Sequence, residues 1–127
     1  MNETVREWLS KAADDYRVAR REFDADPDPS YDAACFHAQQ SVEKLMKAAL
    51  VSAQVLAPRT HDLITLSRLV TSSYPGWGWD EADLKWLSLA AAQYRYPGES
   101  ADRDDAERAL SVCTALRKRL LEVIAAC

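Results

Sequence analysis

The sequence predicts an all-α fold, an up-and-down helical bundle of four main helices plus a short accessory helix. The 127-residue chain has only 3 glycines and 5 prolines, and each lies between stretches with a helical apolar pattern. Hairpin-rich folds need more turn residues than this. In five successive segments apolar side chains recur every three or four positions, the period of an amphipathic helix. The length suits one domain, residues 1–127, with a single core.

The first predicted helix opens with Thr4 and Glu7, whose spacing matches a capping box. An apolar stripe follows at three- and four-residue steps, formed by Val5, Trp8, Leu9, Ala12, Tyr16, Ala19 and Phe23. A segment rich in aspartate and proline, 24–29, ends this helix. Within that segment Asp28 and Pro29 fit the N-cap and the first position of the next helix.

The second predicted helix, roughly Asp32 to Ser52, is apolar on two opposite sides. One side carries mostly small residues that allow another helix to approach closely: Ala34, Ala38, Ser41, Val42, Leu45, Ala48 and Ala49. Phe36, Leu50 and Val51 lie roughly opposite. This pattern predicts either a central helix or one shared between the core and a partner. Phe36, Leu50 and Val51 are therefore a candidate dimer or partner surface.

A polar stripe runs along the second helix between its two apolar sides. It consists of His37, Gln40, Lys44 and Lys47, and Glu43 lies four residues before Lys47 as an ion-pair partner. One interpretation is a groove of donors that binds phosphate or nucleotide. The other is a set of polar bridges in a helix–helix or dimer interface. We favour the bridges, because apolar residues flank the stripe on both sides.

A short third helix is predicted with Thr60 as its N-cap and an apolar stripe of Leu63, Leu66, Leu69 and Val70. The following loop carries Trp77 and Trp79. Tryptophans in a loop favour sealing of that loop onto the core, and stacking of a base is the alternative. These features place the short helix and the loop against the bundle.

Asp80 is predicted to cap the fourth helix, and the segment 95–98, with its proline and glycine, ends it. The last predicted helix runs from about Ala101. Arg95 lies between two tyrosines at the end of the fourth helix. It is expected either to stack on those rings and cap the last carbonyls or to present its guanidinium to a phosphate.

Composition excludes several classes of function. The net charge of −4 argues against a general nucleic-acid coat or a binder of anionic membranes. No apolar run reaches the roughly 20 residues of a membrane span, and the N-terminus lacks a signal-peptide core. Cys35, Cys113 and Cys127 are odd in number and suggest reduced thiols, so a cytoplasmic protein is expected. Cys35 and His37 diverge on a helix, so neither a metal nor another cofactor is expected.

Three stretches in order resemble the HEPN family of small helical-bundle proteins. The first, 34–47, reads ACFHAQQSVEKLMK and is similar to the family's signature helix. The second is Thr60-His61-Asp62-Leu63, and the third is Tyr94-Arg95-Tyr96-Pro97. Each stretch alone is a weak signal, but their order on a five-helix pattern makes the resemblance specific.

The resemblance implies a homodimer that binds a minimal nucleotidyltransferase partner, commonly as a toxin–antitoxin pair. It also implies a nucleotide or RNA as ligand. For the phosphate-binding positions we name Arg95, Tyr96, Lys44, Lys47, His37, Gln40 and His61.

Many HEPN proteins are metal-independent ribonucleases, so the resemblance also implies ribonuclease activity as an alternative to the binding role. It depends on an R-x4-6-H motif in which arginine holds phosphate and histidine transfers a proton. Arg95 fills the arginine position, but Ser100, Ala101 and Asp102 occupy the positions for the histidine, and no histidine follows His61. The incomplete motif argues against an enzyme and leaves Arg95 and His61 as weak catalytic candidates.

Overall fold

A computed structural model describes residues 1–126, and five α-helices form the regular structure of this part of the chain. They are α1 (Glu3–Asp24), α2 (Tyr31–Ser52), α3 (Leu63–Ser73), α4 (Glu81–Gln93) and α5 (Arg103–Ala125). The predicted all-α bundle is confirmed, with α3, of 11 residues, as the short accessory helix. In this part of the chain no helix has both the length and the apolar character needed to cross a membrane.

Helix α2 is the centre of the bundle, because it packs against each of the other four helices. Of its 22 residues, 13 are buried, and they cover most of the circumference, while the side with His37, Gln40, Lys44 and Val51 is only partly buried. The other helices touch one another only in the pairs α1 with α5, α3 with α4, and α4 with α5 within the described residues. The prediction that the second helix is buried on most of its circumference is therefore confirmed.

Helices α1 and α2 run antiparallel. The ring of Phe23, near the end of α1, lies 6.0 Å from that of Tyr31 at the start of α2. Halfway along, the hydroxyl of Ser41 donates a hydrogen bond of 2.8 Å to the carbonyl of Ala12. Small side chains at these positions bring the two backbones close enough for a side chain of one helix to bond the backbone of the other.

The first two helices begin at different residues from those predicted. Asn2, not Thr4, caps α1, and its side chain accepts a hydrogen bond from the backbone N–H of Val5. Ser30, not Asp28, caps α2. In both places two residues suited to capping lie close together in sequence, and their backbone geometry decides between them.

Of the later helices, α3 shows the same competition between neighbouring caps, whereas α4 and α5 begin close to the predicted residues. Asp62, not Thr60, caps α3, while the Thr60 hydroxyl accepts a hydrogen bond from the N–H of Asp62. Asp80 caps α4, as predicted. Helix α5 begins at Arg103 behind the cap Asp102, close to the predicted start near residue 101.

Leu50 corrects the proposed partner surface on α2. Its side chain is fully buried within the chain itself, whereas Phe36 and Val51 are only partly buried. Leu50 is therefore a core residue and is not available to a partner. Periodicity along one helix could not show this, because the helices that cover Leu50 come from distant parts of the sequence.

The loop between α3 and α4 is sealed onto the bundle through its tryptophans. Trp77 is part of the core and its ring stacks on that of Trp79, with 4.7 Å between the ring centroids. The indole N–H of Trp79 donates a hydrogen bond of 2.7 Å to the hydroxyl of Thr71. The guanidinium of Arg119 lies 4.4 Å from the ring centroid of Trp77. Sealing, rather than an open platform for a base, is the role that these contacts support.

Arginines cover several aromatic rings on the surface of the bundle. The guanidinium carbon lies between 4.1 and 4.9 Å from the ring centroid in four pairs: Arg103 with Phe23, Arg108 with Trp86, Arg117 with Tyr16, and Arg119 with Trp77. Such contacts are attractive, because a cation interacts favourably with the face of an aromatic ring. Large apolar side chains that remain exposed include Leu56, Leu89 and Tyr96.

We expect Leu50→Ala to lower the free energy of unfolding by about 2–5 kcal/mol, because it removes buried methyl groups and leaves a cavity in the core. Urea unfolding followed by circular dichroism measures this change. The matched control is Leu56→Ala, since Leu56 is 92% exposed and its truncation should change stability by less than about 0.5 kcal/mol. Equal stability of the two variants would contradict the placement of Leu50 in the core.

Candidate functional site

A cleft of about 340 Å³ lies between α2 and α4, within the range of volumes of small-molecule sites. Helix α2 contributes three residues, helix α4 contributes three, and two more come from the segments that precede α3 and follow α4. In chain order the lining residues are Phe36, Gln39, Gln40, His61, Ser88, Ala91, Ala92 and Arg95. The cleft therefore collects residues from three separate parts of the sequence.

Arg95 supplies the positive charge of the cleft. Helix α4 ends at Gln93, and Arg95 follows in a turn that its backbone N–H closes by a hydrogen bond to the carbonyl of Ala92. Its guanidinium lies 5.4 Å from the ring centroid of Phe36, not on the neighbouring tyrosines. No carboxylate of residues 1–126 forms a salt bridge with it. Its N–H donors are thus available to an anionic ligand.

His61 brings an imidazole to the same cleft. It lies just before the N-cap of α3, and its side chain is 82% exposed. Its Nδ1 atom lies 3.0 Å from Oε1 and 3.1 Å from Oε2 of Glu43. The ring is therefore held at one nitrogen by a carboxylate on α2, while most of its surface faces solvent.

Glu43 is buried and has three side-chain partners. Besides His61, the amide Nε2 of Gln39 donates a hydrogen bond of 3.4 Å to its carboxylate, and Lys47 Nζ lies 3.3 Å from Oε2. Gln40 joins the group through a 2.8 Å hydrogen bond to the side-chain oxygen of Gln39. Buried charges and amides need such partners, because an unpaired polar group in the interior is costly.

The predicted polar stripe of α2 divides into two clusters on different sides of the helix. His37 Nδ1 lies 2.8 Å from Oδ1 of Asp15 on α1, and Lys44 donates to Oδ2 of the same aspartate. These residues bridge α1 and α2, and neither His37 nor Lys44 lines the cleft. Lys47 pairs with Glu43. For His37 and Lys44 the interpretation as polar bridges between helices describes the contacts, whereas Lys47 forms its ion pair within α2.

The segment that would carry the histidine of a ribonuclease motif has a structural role here. The Asp102 side chain accepts a hydrogen bond of 2.8 Å from the N–H of Asp105 and caps α5. The N–H of Ala101 donates one of 2.7 Å to the carboxylate of Asp32 at the start of α2. Asp102 thus caps α5, Ala101 joins the start of α5 to α2, and neither residue lines the cleft with Arg95.

Burial removes two further reactive groups from acid–base chemistry near neutral pH. Desolvation raises the pKa of the Tyr94 hydroxyl to about 12, and its hydrogen bond to Asp105 acts in the same direction. Desolvation also raises the pKa of the Cys35 thiol to about 12, with a further contribution from nearby aspartates. Within residues 1–126, histidine, cysteine and carboxylate side chains form no group of three that could hold a metal ion.

Ser88 adds a hydroxyl to the wall of the cleft. Among the described residues its Oγ atom is buried and has no hydrogen-bond partner. The same residue also lines a groove between α3 and α4. Serine has no periodic or motif signal on α4, and its position in the cleft becomes apparent only from the packing of α4 on α2.

The sequence matches the model of a known family. The family model of the HEPN domain covers residues 5–123. This chain belongs to the HEPN domain family. Among solved structures it is similar to TT1696 from Thermus thermophilus, with 23% sequence identity and a TM-score of 0.76 over 97% of this chain and 99% of that one. At this identity the likeness shows a shared fold. No curated protein matches the sequence.

Of the HEPN site residues named from sequence, the structure brings Arg95, His61 and Gln40 to one cleft. Lys47 is buried and is linked to His61 only indirectly, because both side chains contact Glu43. Tyr96 is 68% exposed and does not line the cleft.

Two cleft residues, Gln39 and Phe36, had other sequence interpretations or none. The sequence gives no signal for Gln39, because only its neighbour Gln40 falls on the polar stripe. Phe36 was assigned to a partner surface, whereas its ring lies in the cleft beneath Arg95. An arginine far along the chain gives no local signal that it will lie on this ring.

Proposed function

We propose that this HEPN protein binds a phosphate-bearing ligand, such as a nucleotide, in the cleft between α2 and α4. The observation that carries the proposal is the free guanidinium of Arg95 in that cleft, opposite the amides of α2. Arginine is suited to phosphate, because its planar fork of donors can bind two oxygens at once. The Phe36 ring, whose centroid lies 5.4 Å from the guanidinium carbon, gives Arg95 a cation–π contact and leaves its N–H edge open.

The proposal extends to the assembly in which the protein works. Membership of the HEPN family supports a cytoplasmic homodimer that binds a minimal nucleotidyltransferase, as in toxin–antitoxin pairs. Of the three residues named for a partner surface, partly buried Val51 remains a candidate, because Leu50 is in the core and the Phe36 ring lies in the cleft. Exposed Leu89, on α4 next to Ser88 of the cleft wall, and Tyr96 offer further apolar area.

A second candidate function, a metal-independent ribonuclease, is supported by one specific observation. His61 lies in the same cleft as Arg95, although 34 positions separate them in the sequence. In such a reaction the imidazole takes the proton of the ribose 2′-hydroxyl, whose oxygen attacks phosphorus. The bond from phosphorus to the 5′-oxygen then breaks and leaves a 2′,3′-cyclic phosphate. The 5′-oxygen takes up a proton from water, and the imidazolium returns its proton to the solvent.

We expect the protein to bind ATP, and Arg95→Ala to weaken that binding at least about tenfold, because hydrogen bonds to charged groups contribute about 1.5–3 kcal/mol. Isothermal titration calorimetry measures both affinities. Arg6→Ala is the matched control, since Arg6 is exposed on α1 and lies outside the cleft. Absence of heat at high micromolar protein, or equal binding by both variants, would refute ligand binding by Arg95.

For the assembly, we expect the purified protein to elute as a dimer in size-exclusion chromatography with light scattering. When it is co-expressed with a minimal nucleotidyltransferase encoded beside it, the two chains should co-purify in a fixed ratio. A monomer that shows no association with such a neighbour would remove this part of the proposal.

For the ribonuclease, we expect purified protein to cleave single-stranded RNA without added metal. Both Arg95→Ala and His61→Gln should then lose at least about 100-fold in rate, the lower range of general acid–base catalysis. Thr4→Ala, at an exposed position of α1 outside the cleft, is the control and should keep the full rate. Cleavage that persists unchanged in both cleft variants would identify a contaminating nuclease and reject this candidate.

A further inference from the structure

An exposed imidazole that lines the cleft is hydrogen-bonded to a buried carboxylate, which itself does not line the cleft. The His61 side chain is 82% exposed, whereas that of Glu43 is 3% exposed. Two short distances, 3.0 and 3.1 Å, join Nδ1 of the ring to the two carboxylate oxygens. Only Nδ1 of the ring makes this contact, and the other ring nitrogen, Nε2, takes no part in it.

The neighbours of Glu43 determine the direction of this hydrogen bond. Gln39 donates to the carboxylate through its amide nitrogen, and the ammonium of Lys47 lies at 3.3 Å. An ammonium has only donors, so the carboxylate in this group acts as an acceptor. His61 Nδ1 must then carry the proton of the bond. In a neutral imidazole the remaining nitrogen, Nε2, is an acceptor with a free lone pair.

Charge balance is consistent with a neutral ring in this position. Lys47 is 7% exposed and already neutralises Glu43 as a buried ion pair. Such a pair adds little stability compared with apolar residues of the same size. Here it places a carboxylate beneath His61 without leaving net charge in the core, so the hydrogen bond does not require a protonated ring.

We propose that Glu43 is the positioning residue of His61, which presents Nε2 to the cleft as a hydrogen-bond acceptor. The ligand is then a phosphate ester that also carries a hydroxyl group, as a ribonucleotide does. Arg95 binds the phosphate, and Nε2 of His61 accepts a hydrogen bond from the hydroxyl group. The ligand class rests on the proposed function, whereas the positioning by Glu43 stands on the contacts within the chain.

The tautomer of His61 tests the positioning directly, without any ligand. In wild-type protein labelled with ¹⁵N at histidine, the protonated and unprotonated ring nitrogens have well-separated chemical shifts. At a pH of about 8, where free imidazole is neutral, the expected result is a proton on Nδ1 and none on Nε2. Loss of one set of signals in His61→Gln assigns the ring. A proton on Nε2 would overturn the proposal.

The ligand class is tested by titration calorimetry with ATP and 2′,3′-dideoxy-ATP, which lacks both ribose hydroxyls. Wild type should bind ATP about fivefold more tightly than the dideoxy form, the size expected of one net hydrogen bond. In Glu43→Leu/Lys47→Met, which removes the acceptor of His61 Nδ1 together with both charges of the buried pair, the two affinities should become equal. Affinity for the dideoxy form should stay unchanged, since Arg95 is intact.

The matched control is Asp15→Asn/Lys44→Met, which removes a similar pair on the α1 side of α2 and should keep the fivefold preference. Equal binding of the two nucleotides by wild type would overturn the hydroxyl-bearing ligand. Binding of neither would reject the proposed function alone, because the tautomer in wild type still decides the role of Glu43. If the double variant does not fold, the tautomer measured in the wild-type protein still decides the role of Glu43.

Discussion

The burial of α2 among four other helices is the constraint on which the rest of the structure depends. A helix covered on most of its circumference must use small residues where neighbours approach, as at Ala38 and Ser41. It must also provide a partner inside the protein for each polar group that it carries. Glu43 and Lys47 meet this requirement by pairing with each other. The ordered carboxylate beneath His61 is thus a by-product of how a central helix accommodates charge.

The fold could be predicted from sequence because its determinants are local. Apolar periodicity, sparse glycine and the aspartates that cap the helices all act within a few residues of one another. The errors occurred where local signals compete. At the start of α3, Thr60 and Asp62 are both good caps, and the N-cap geometry falls on Asp62. Leu50 was misplaced for a different reason, since only tertiary packing shows which side of α2 remains uncovered.

The site could be predicted only in part, because it is assembled across the sequence. Arg95 and His61 were recognised from their motifs, but no sequence signal places them in one cleft. Their meeting depends on the way α4 and the start of α3 pack on α2. The polar stripe shows the reverse error, because residues that share a helical face in projection have different surroundings. His37 contacts Asp15 on α1, whereas Gln40 bonds Gln39 on α2 itself and lines the cleft.

The arginines that lie over aromatic rings have a consequence for how copies of this molecule behave in a crowded solution. A guanidinium over a ring shields part of its apolar face from water and from other molecules. Phe23, Tyr16 and Trp86 are covered in this way, so two copies that meet at these rings have less bare apolar surface to bury. Exposed apolar side chains such as Leu56, Leu89 and Tyr96 leave more of that surface open to a second molecule.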